Sequence, residues 1–292
     1  MGKSNEPAKA SEEALDAYLD RIKHLPPTPT LMIQLIKLFR QPNADVDQIV
    51  ELLRRDPALS IEVLRRCNSS YSGLESPVMD IHEAVFRLGF YELYQITVTL
   101  FSMRMMSLQK EVPGFSMEGL RVHSSIAAIA AGALALEAGE SEGIAFTSGL
   151  LHDVGKLVLA LAEREKYVSL MEDCRRDDSS LSDEEKKRFG FNHTEVGARL
   201  LHRWGVPVEV VLPVQEQNEP QPESEWRRFA MITNLASRLA DYLEEKSPSL
   251  PFCQTPGVDA IMESLMLTPG QIRQWEQIVR NKVKQLPALL NG

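Results

Sequence analysis

Apolar residues recur along this chain every three or four positions, and almost nowhere every second position, so the pattern predicts helices from end to end. Leu15, Tyr18, Leu19 and Ile22 form a first amphipathic stripe ending before Pro26-Pro27. Leu31, Leu35, Ile36 and Phe39 form a second, closed near Pro42. Asp45 caps a third helix carrying Val46, Ile49, Val50 and Leu53. Asp56-Pro57 opens a fourth that runs to about Cys67. The turn-rich Asn68–Gly73 stretch, extended by Ser76-Pro77, breaks the pattern. Asp80 starts a helix that stops at Gly89, and a long apolar helix follows to about Leu108. The Gln109–Ser116 loop, with Pro113-Gly114, is the expected subdomain boundary.

The second half repeats this grammar. Leu120–Gly139 is Ala-rich and helical, and Ser141 opens a helix that runs through His152-Asp153 to about Leu161. Glu163–Arg175 is the next. Ser182-x-x-Glu185 and Asn192-x-x-Glu195 both read as capping boxes, the second opening a helix that ends at Trp204-Gly205. Pro207 begins another, running into a Glu/Gln/Asn/Pro stretch over 215–224 that reads as a solvated loop. Trp226–Glu245 is long and amphipathic, and Thr268-Pro269 caps a last helix toward Val283. The expected fold is all-α, a multi-helix bundle of two packed helical subdomains. A flexible N-terminus covers 1–13, the first subdomain 14–110 and the second 111–292.

Composition narrows the class of function. Hydrophobic residues make up 43% and charged residues 25%, so the chain can build a core. A net charge of −9 gives no overall basic footprint, so nucleic acid is not an expected partner and an anionic membrane would repel the chain. The polar N-terminus lacks the apolar stretch of a signal peptide, and no unbroken apolar run reaches membrane-spanning length, so a soluble, cytoplasmic protein is expected. Cys67, Cys174 and Cys253 are odd in number and form no CxxC, which fits a reducing compartment. No glycine-rich phosphate loop is present.

One segment stands out: Leu150-Leu151-His152-Asp153-Val154-Gly155-Lys156. An apolar helix with a single His-Asp pair must satisfy both groups internally, through a partner or an ion. Imidazole and carboxylate together suit iron, manganese or zinc, given a further ligand from another helix. A buried, hydrogen-bonded His-Asp pair without any ion is the competing reading, and the more favoured. Lys156 follows His152 by one turn and is a candidate phosphate contact, or simply a solvated lysine. Asn68 and Tyr71 read as turn chemistry, Met103, Met105 and Met106 as core, and His24, His82 and His202 as surface or capping residues.

These motifs resemble a known family. His123, then His152-Asp153 in Leu-Leu-His-Asp-Val-Gly-Lys, then Asn192-His193-Thr-Glu-Val-Gly197, resemble an HD-superfamily domain. Leu25-Pro-Pro-Thr-Pro29, Asp56-Pro-Ala-Leu59, Cys67-Asn-Ser-Ser-Tyr71-Ser-Gly73 and Ile81-x-x-Ala84-Val85-x-x-Leu88-Gly89 resemble, in order, the HDOD signature. The resemblance, over about residues 15 to 245, implies an HD-like second subdomain. It also implies His123, His152 and Asp153 as metal-ligating positions, His193 as a fourth and Lys156 as a ligand contact. Against catalytic HD phosphohydrolases, the paired-His position holds Gln217-Asn218 and the late carboxylate position holds Ser237, which rules against a binuclear centre. His193, behind the capping Asn192, otherwise reads as structural.

The resemblance implies a non-catalytic bacterial signal-transduction module acting through a signalling protein partner or a ligand. The alternative is a metal-dependent phosphohydrolase acting on a nucleotide or cyclic dinucleotide with a depleted site. A third reading is a sensor that binds such a ligand without turnover. The sequence leaves oligomeric state open.

Overall fold

The structure, a computed structural model, describes residues 6–22, 30–39, 41, 45–70, 77–107, 112–245 and 250–284. His24, the Leu25–Pro29 and Tyr71–Gly73 motifs and the side chains of Met103, Met105 and Met106 lie outside the described residues. Among the described residues the fold is all-α; the single bridge pair Val112–Phe115 forms no strand. In order the helices are α1 (Glu6–Asp20), α2 (Thr30–Phe39), α3 (Val46–Arg54), α4 (Pro57–Ser70), α5 (Ile81–Ser107), α6 (Met117–Glu137), α7 (Glu142–Leu151) and α8 (Val154–Ala162). They continue with α9 (Arg164–Asp177), α10 (Leu181–Phe189), α11 (His193–Arg203), α12 (Val208–Glu216), α13 (Arg227–Glu244), α14 (Val258–Ser264) and α15 (Pro269–Val283).

Two compact units divide the chain: Pro27–Met105, and Met1–Pro26 together with Met106–Gly292. The first helix thus groups with the second half of the sequence, whereas the pattern alone had placed it in an N-terminal subdomain. It also starts at Glu6, within the stretch expected to be flexible. The reason is chemical: Asp16 accepts from Arg199 Nε of α11 at 2.8 Å, Asp20 pairs with Arg203, and the Tyr18 ring meets Phe191 edge-on at 4.6 Å.

In the Pro27–Met105 unit, Leu35, Ile49, Leu53, Val63 and Leu93 are at the centre of one apolar core. Asp45 and Asp56 cap α3 and α4 as their positions predict. Asn68 exchanges two bonds with Val78, donating to its carbonyl at 2.9 Å and accepting its N–H at 2.7 Å, which is a structural role. Gly89, at φ 76°, interrupts α5 where the sequence places a stop.

The other unit is built around α6, whose alanines let neighbours come close. A Cβ on Gly149 of α7 would fall 2.7 Å from the Ala127 carbonyl oxygen. Trp275 of α15 is buried against the same helix and donates to the Ala130 carbonyl at 2.9 Å. Two stretches here, Met117–Glu137 and Glu142–Ala162, are long and apolar enough by length and composition to span a membrane, contrary to the expectation drawn from unbroken runs. Their apolar windows are 72% and 83% buried within the protein, and the second is broken between α7 and α8, so both read as core helices.

Candidate functional site

His152 and Asp153 do not sit inside one helix, as the periodicity predicts. They form the junction between α7 and α8, with Asp153 at φ −104°, ψ 10°. Leaving helical geometry brings both side chains to one side, so that His152 Nε2 lies 3.3 Å from Asp153 Oδ2. The next helix departs at once because Gly155 allows it: a Cβ there would fall 1.8 Å from the His193 carbonyl oxygen and 2.8 Å from Gly197 N. That glycine contact presses the start of α8 against the start of α11, which carries His193. The close approach of α6 and α7 brings His123 to the same place.

The cluster is buried. His123, His152, Asp153 and His193 are each less than a tenth exposed. His152 Nδ1 lies 2.7 Å from the Gly149 carbonyl and must donate to it, which leaves Nε2 as an acceptor. His123 Nε2 faces that atom at 3.3 Å, and Ser237 Oγ lies 3.4 Å from the same His123 nitrogen. On its other side His123 Nδ1 meets Asp241 at 3.4 Å and Glu244 at 3.6 Å. Lys156 of α8 donates to Asp153 Oδ2 at 2.6 Å. His193 Nε2 stands 3.6 Å from Asp153 Oδ1.

The charges follow from these neighbours. Burial alone would drive Asp153 toward its neutral form, but His152, Lys156 and His123 outweigh it and hold the carboxyl well below its ordinary value. Burial opposes the charge on Lys156 too, and Asp153 overcomes it, raising the pKa. Burial lowers His152 despite the opposing pull of Asp153. His123 is also buried, yet Glu244, Asp153 and Asp241 together raise its pKa.

The opposite wall of the site comes from α12 and α13. Gln217, expected in a solvated loop, is buried and donates to the carbonyls of His152 at 2.9 Å and Val214 at 3.2 Å. Asn234 donates to the Gln217 carbonyl at 2.8 Å and accepts from Arg238 Nε at 2.7 Å. A polar cavity of about 450 Å³ lies between the walls, lined among others by Asp153, Lys156, His193, Gln217, Ser237 and Asp241. Lys156, expected as a phosphate contact or a solvated residue, pairs with Asp153 and lines the cavity. Sequence reasoning missed two residues here. Asp241, one turn beyond Ser237 on α13, needs the helix in place to be linked to His123. Glu185 was read as a capping partner, but Ser180 caps α10 and Glu185 is buried. The Asn192–Glu195 capping box forms as predicted.

The HDOD domain model matches residues 25–220, two thirds of the chain. The chain belongs to the HDOD family. Solved structures repeat the HDOD fold. A provisionally assigned phosphohydrolase of Shewanella amazonensis has a TM-score of 0.75 at 24% identity, covering 95% of this chain and 98% of that one. An HDOD domain protein of unknown function from Geobacter sulfurreducens matches at 0.75 and 18%, over 97% of both chains. A provisionally assigned signal transduction protein of Marinobacter aquaeolei matches at 0.74 and 22%, over 97% of this chain and 66% of that one. At such identities the likeness establishes the fold. An uncharacterised protein of Treponema pallidum is 26% identical over 240 residues, covering 78% of this chain and 44% of the relative. This HDOD chain therefore spans less than half the length of that relative.

Donor type and spacing in the HDOD cluster fit one divalent cation. His123, His152 and Asp153 each offer a ligand atom, and the three lie within 4.8 Å of one another. They do not fit two. Gln217 is committed to backbone carbonyls, and Ser237 brings no charge.

Proposed function

We propose that this HDOD chain is a regulatory signalling module that acts by binding, not by hydrolysis. The observation that carries the reading is the contact between Lys156 Nζ and Asp153 Oδ2 at 2.6 Å. The one carboxylate in the three-donor cluster is already neutralised from within the chain. A cation entering there has to displace an ammonium, and His123 has to free its Nε2 lone pair. On the α12–α13 wall the Gln217 amide and the Ser237 hydroxyl stand nearest the cluster without charge, and the carboxylates Asp241 and Glu244 meet the far side of His123. The cavity beside this cluster is then the binding site for a small ligand, and a signalling protein is the proposed downstream partner. The fold shared with the Marinobacter protein is compatible with that assignment.

A metal-dependent phosphohydrolase is the second reading, favoured by the convergence of His123, His152 and Asp153. A cation bound there would polarise a water or a phosphoryl oxygen, while the chain's own residues would orient it: Gly149 by fixing the His152 tautomer and Lys156 by holding Asp153.

The deciding experiment measures metal content and phosphodiester hydrolysis of protein purified without chelator or nickel, beside a His152→Ala, Asp153→Ala double variant. The regulatory reading expects substoichiometric metal and no turnover of nucleotide or cyclic dinucleotide substrates. Stoichiometric iron, manganese or zinc, with turnover that the double variant loses, would replace it with the hydrolase.

A further inference from the structure

Glu185 has no part in the cluster above, yet it is the most deeply enclosed carboxylate beside it, with none of its surface exposed. Three donors meet it. Tyr167 O–H reaches Oε1 at 2.8 Å, the backbone N–H of His193 reaches Oε2 at 2.8 Å, and His193 Nδ1 lies 2.6 Å from Oε2. We propose that Glu185 is a positioning residue: by accepting the Nδ1 proton of His193 it holds that imidazole in the tautomer whose Nε2 turns a bare lone pair to the cavity.

The argument is one of hydrogen-bond supply. As a carboxylate Glu185 offers only acceptors, and the tyrosine and the backbone amide already donate to it. The third atom at its rim, Nδ1, is then the donor, and in the neutral ring the remaining nitrogen has no proton. His193 is 6% exposed and lines the cavity, where Nε2 faces Asp153 Oδ1 at 3.6 Å. Two acceptors thus look at each other across a gap too wide for a direct hydrogen bond. Whatever occupies that gap must bring electron-pair-accepting groups, either a cation or the N–H or O–H of a ligand. A phosphate or carboxylate oxygen is turned away at this spot. This ligand preference rests on the reading of the cavity as a binding site; the tautomer itself does not.

A role limited to capping the first N–H of α11 would leave the tautomer indifferent to Glu185, and that difference is measurable. Long-range proton–nitrogen correlation NMR of the full chain, above the ordinary titration range of histidine, should show His193 protonated at Nδ1 and bare at Nε2. The opposite tautomer, or an imidazolium, would overturn the proposal. In Glu185→Gln the acceptor loses its charge while its carbonyl can still cap α11. The Nε2–H population should rise, and Zn²⁺ used as a probe should bind about 10- to 100-fold more weakly, the usual effect of losing such an orienting partner. An unchanged tautomer in the folded variant would also overturn the assignment. Should Glu185→Gln fail to fold, Tyr167→Phe removes one donor and keeps the Glu185–His193 pair. It should retain the wild-type tautomer, and a switch there would move the role from Glu185 to Tyr167. If wild-type His193 has the expected tautomer but its Nε2 signal ignores Zn²⁺ and every donor ligand tried, the positioning role stands and the binding-site reading falls.

Discussion

The two walls of the cavity are built from opposite chemistry. The wall made by the α7–α8 junction and the start of α11 is crowded with ionisable groups that find partners within it: Asp153 with Lys156, His193 with Glu185, and His152 with the Gly149 carbonyl. The wall made by α12 and α13 answers mostly with neutral groups, Gln217, Asn234 and Ser237, tied into backbone carbonyls or set against His123. Its carboxylates near His123, Asp241 and Glu244, have side chains 73% and 39% exposed. A second cation would need charge from this wall as well. Here one wall is closed on itself, which lets a folded, polar site persist without an ion.

The comparison breaks most completely at Gly155. Gly155→Ala puts a Cβ 1.8 Å from the His193 carbonyl, against backbone that has no room to move. The α8–α11 contact should open, costing at least about 3 kcal/mol, the upper end of what core overpacking typically costs. Thermal unfolding should show the loss directly, as a collapsed melting temperature or no cooperative transition. Gly190→Ala is the control. It is strained only by its φ of 85°, meets nothing within 4 Å, and should cost about 1 kcal/mol. Equal effects of the two variants would mean that close packing does not hold the charged wall.

Rebuilding the neutral wall is the gentler test. Ser237 Oγ already lies 3.4 Å from His123 Nε2, so Ser237→Asp places a carboxylate where the cluster lacks one. Zn²⁺ affinity, measured by competition with a chromogenic chelator, should rise at least about tenfold, equivalent to about 1.4 kcal/mol. Without metal the variant should be less stable than wild type, because Asp241 and Glu244 are near the same histidine. An affinity unchanged from wild type would show that the α13 wall is not what limits cation binding, and would shift attention to the Lys156–Asp153 pair.

Much of this was legible in the sequence because it depends on local rules. Capping by Asp45, Asn192 and Thr268 is a matter of three or four neighbouring residues, and all three caps form. So is the stop at Gly89. The His152-Asp153 pair announced itself by polarity in an apolar run. What stayed hidden depends on contacts distant in the chain. The break between α7 and α8 follows from how closely Gly155 meets α11, which no periodicity encodes. Glu185 satisfied a capping-box pattern with Ser182, and only the fold shows it turned inward to Tyr167 and His193 instead. Gln217 lies in a stretch whose composition is that of a solvent-exposed loop, and burial there is decided by the carbonyl of His152, 65 residues earlier in the chain. The first helix joined the wrong half on paper because ion pairs across 183 residues leave no local trace.

The smallest effect lies behind the charged wall, where α1 leans on the segment leading into His193. The Tyr18 ring packs on Phe191, but its hydroxyl is buried without a hydrogen-bond partner among the described residues. Burial, with the Glu163 carboxylate adding to it and Arg21 opposing, pushes the phenol up to about 12 from an ordinary value of 10.0. The neutral form is therefore the one the fold accepts. Its contribution is fully present below pH 10.0, and stability declines as pH rises through about 12. Tyr18→Phe keeps the ring contact and removes the orphaned hydroxyl. It should leave the protein at least as stable at neutral pH, with a gain of up to about 1 kcal/mol, and it should flatten the alkaline decline. Urea melts at pH values on either side of the phenol's ordinary range give both numbers. If the variant is less stable at neutral pH, the hydroxyl has a partner and α1 is held to α11 by more than its ring and its two aspartates. If only the alkaline slope survives unchanged, the titrating group lies elsewhere in the α1–α11 contact.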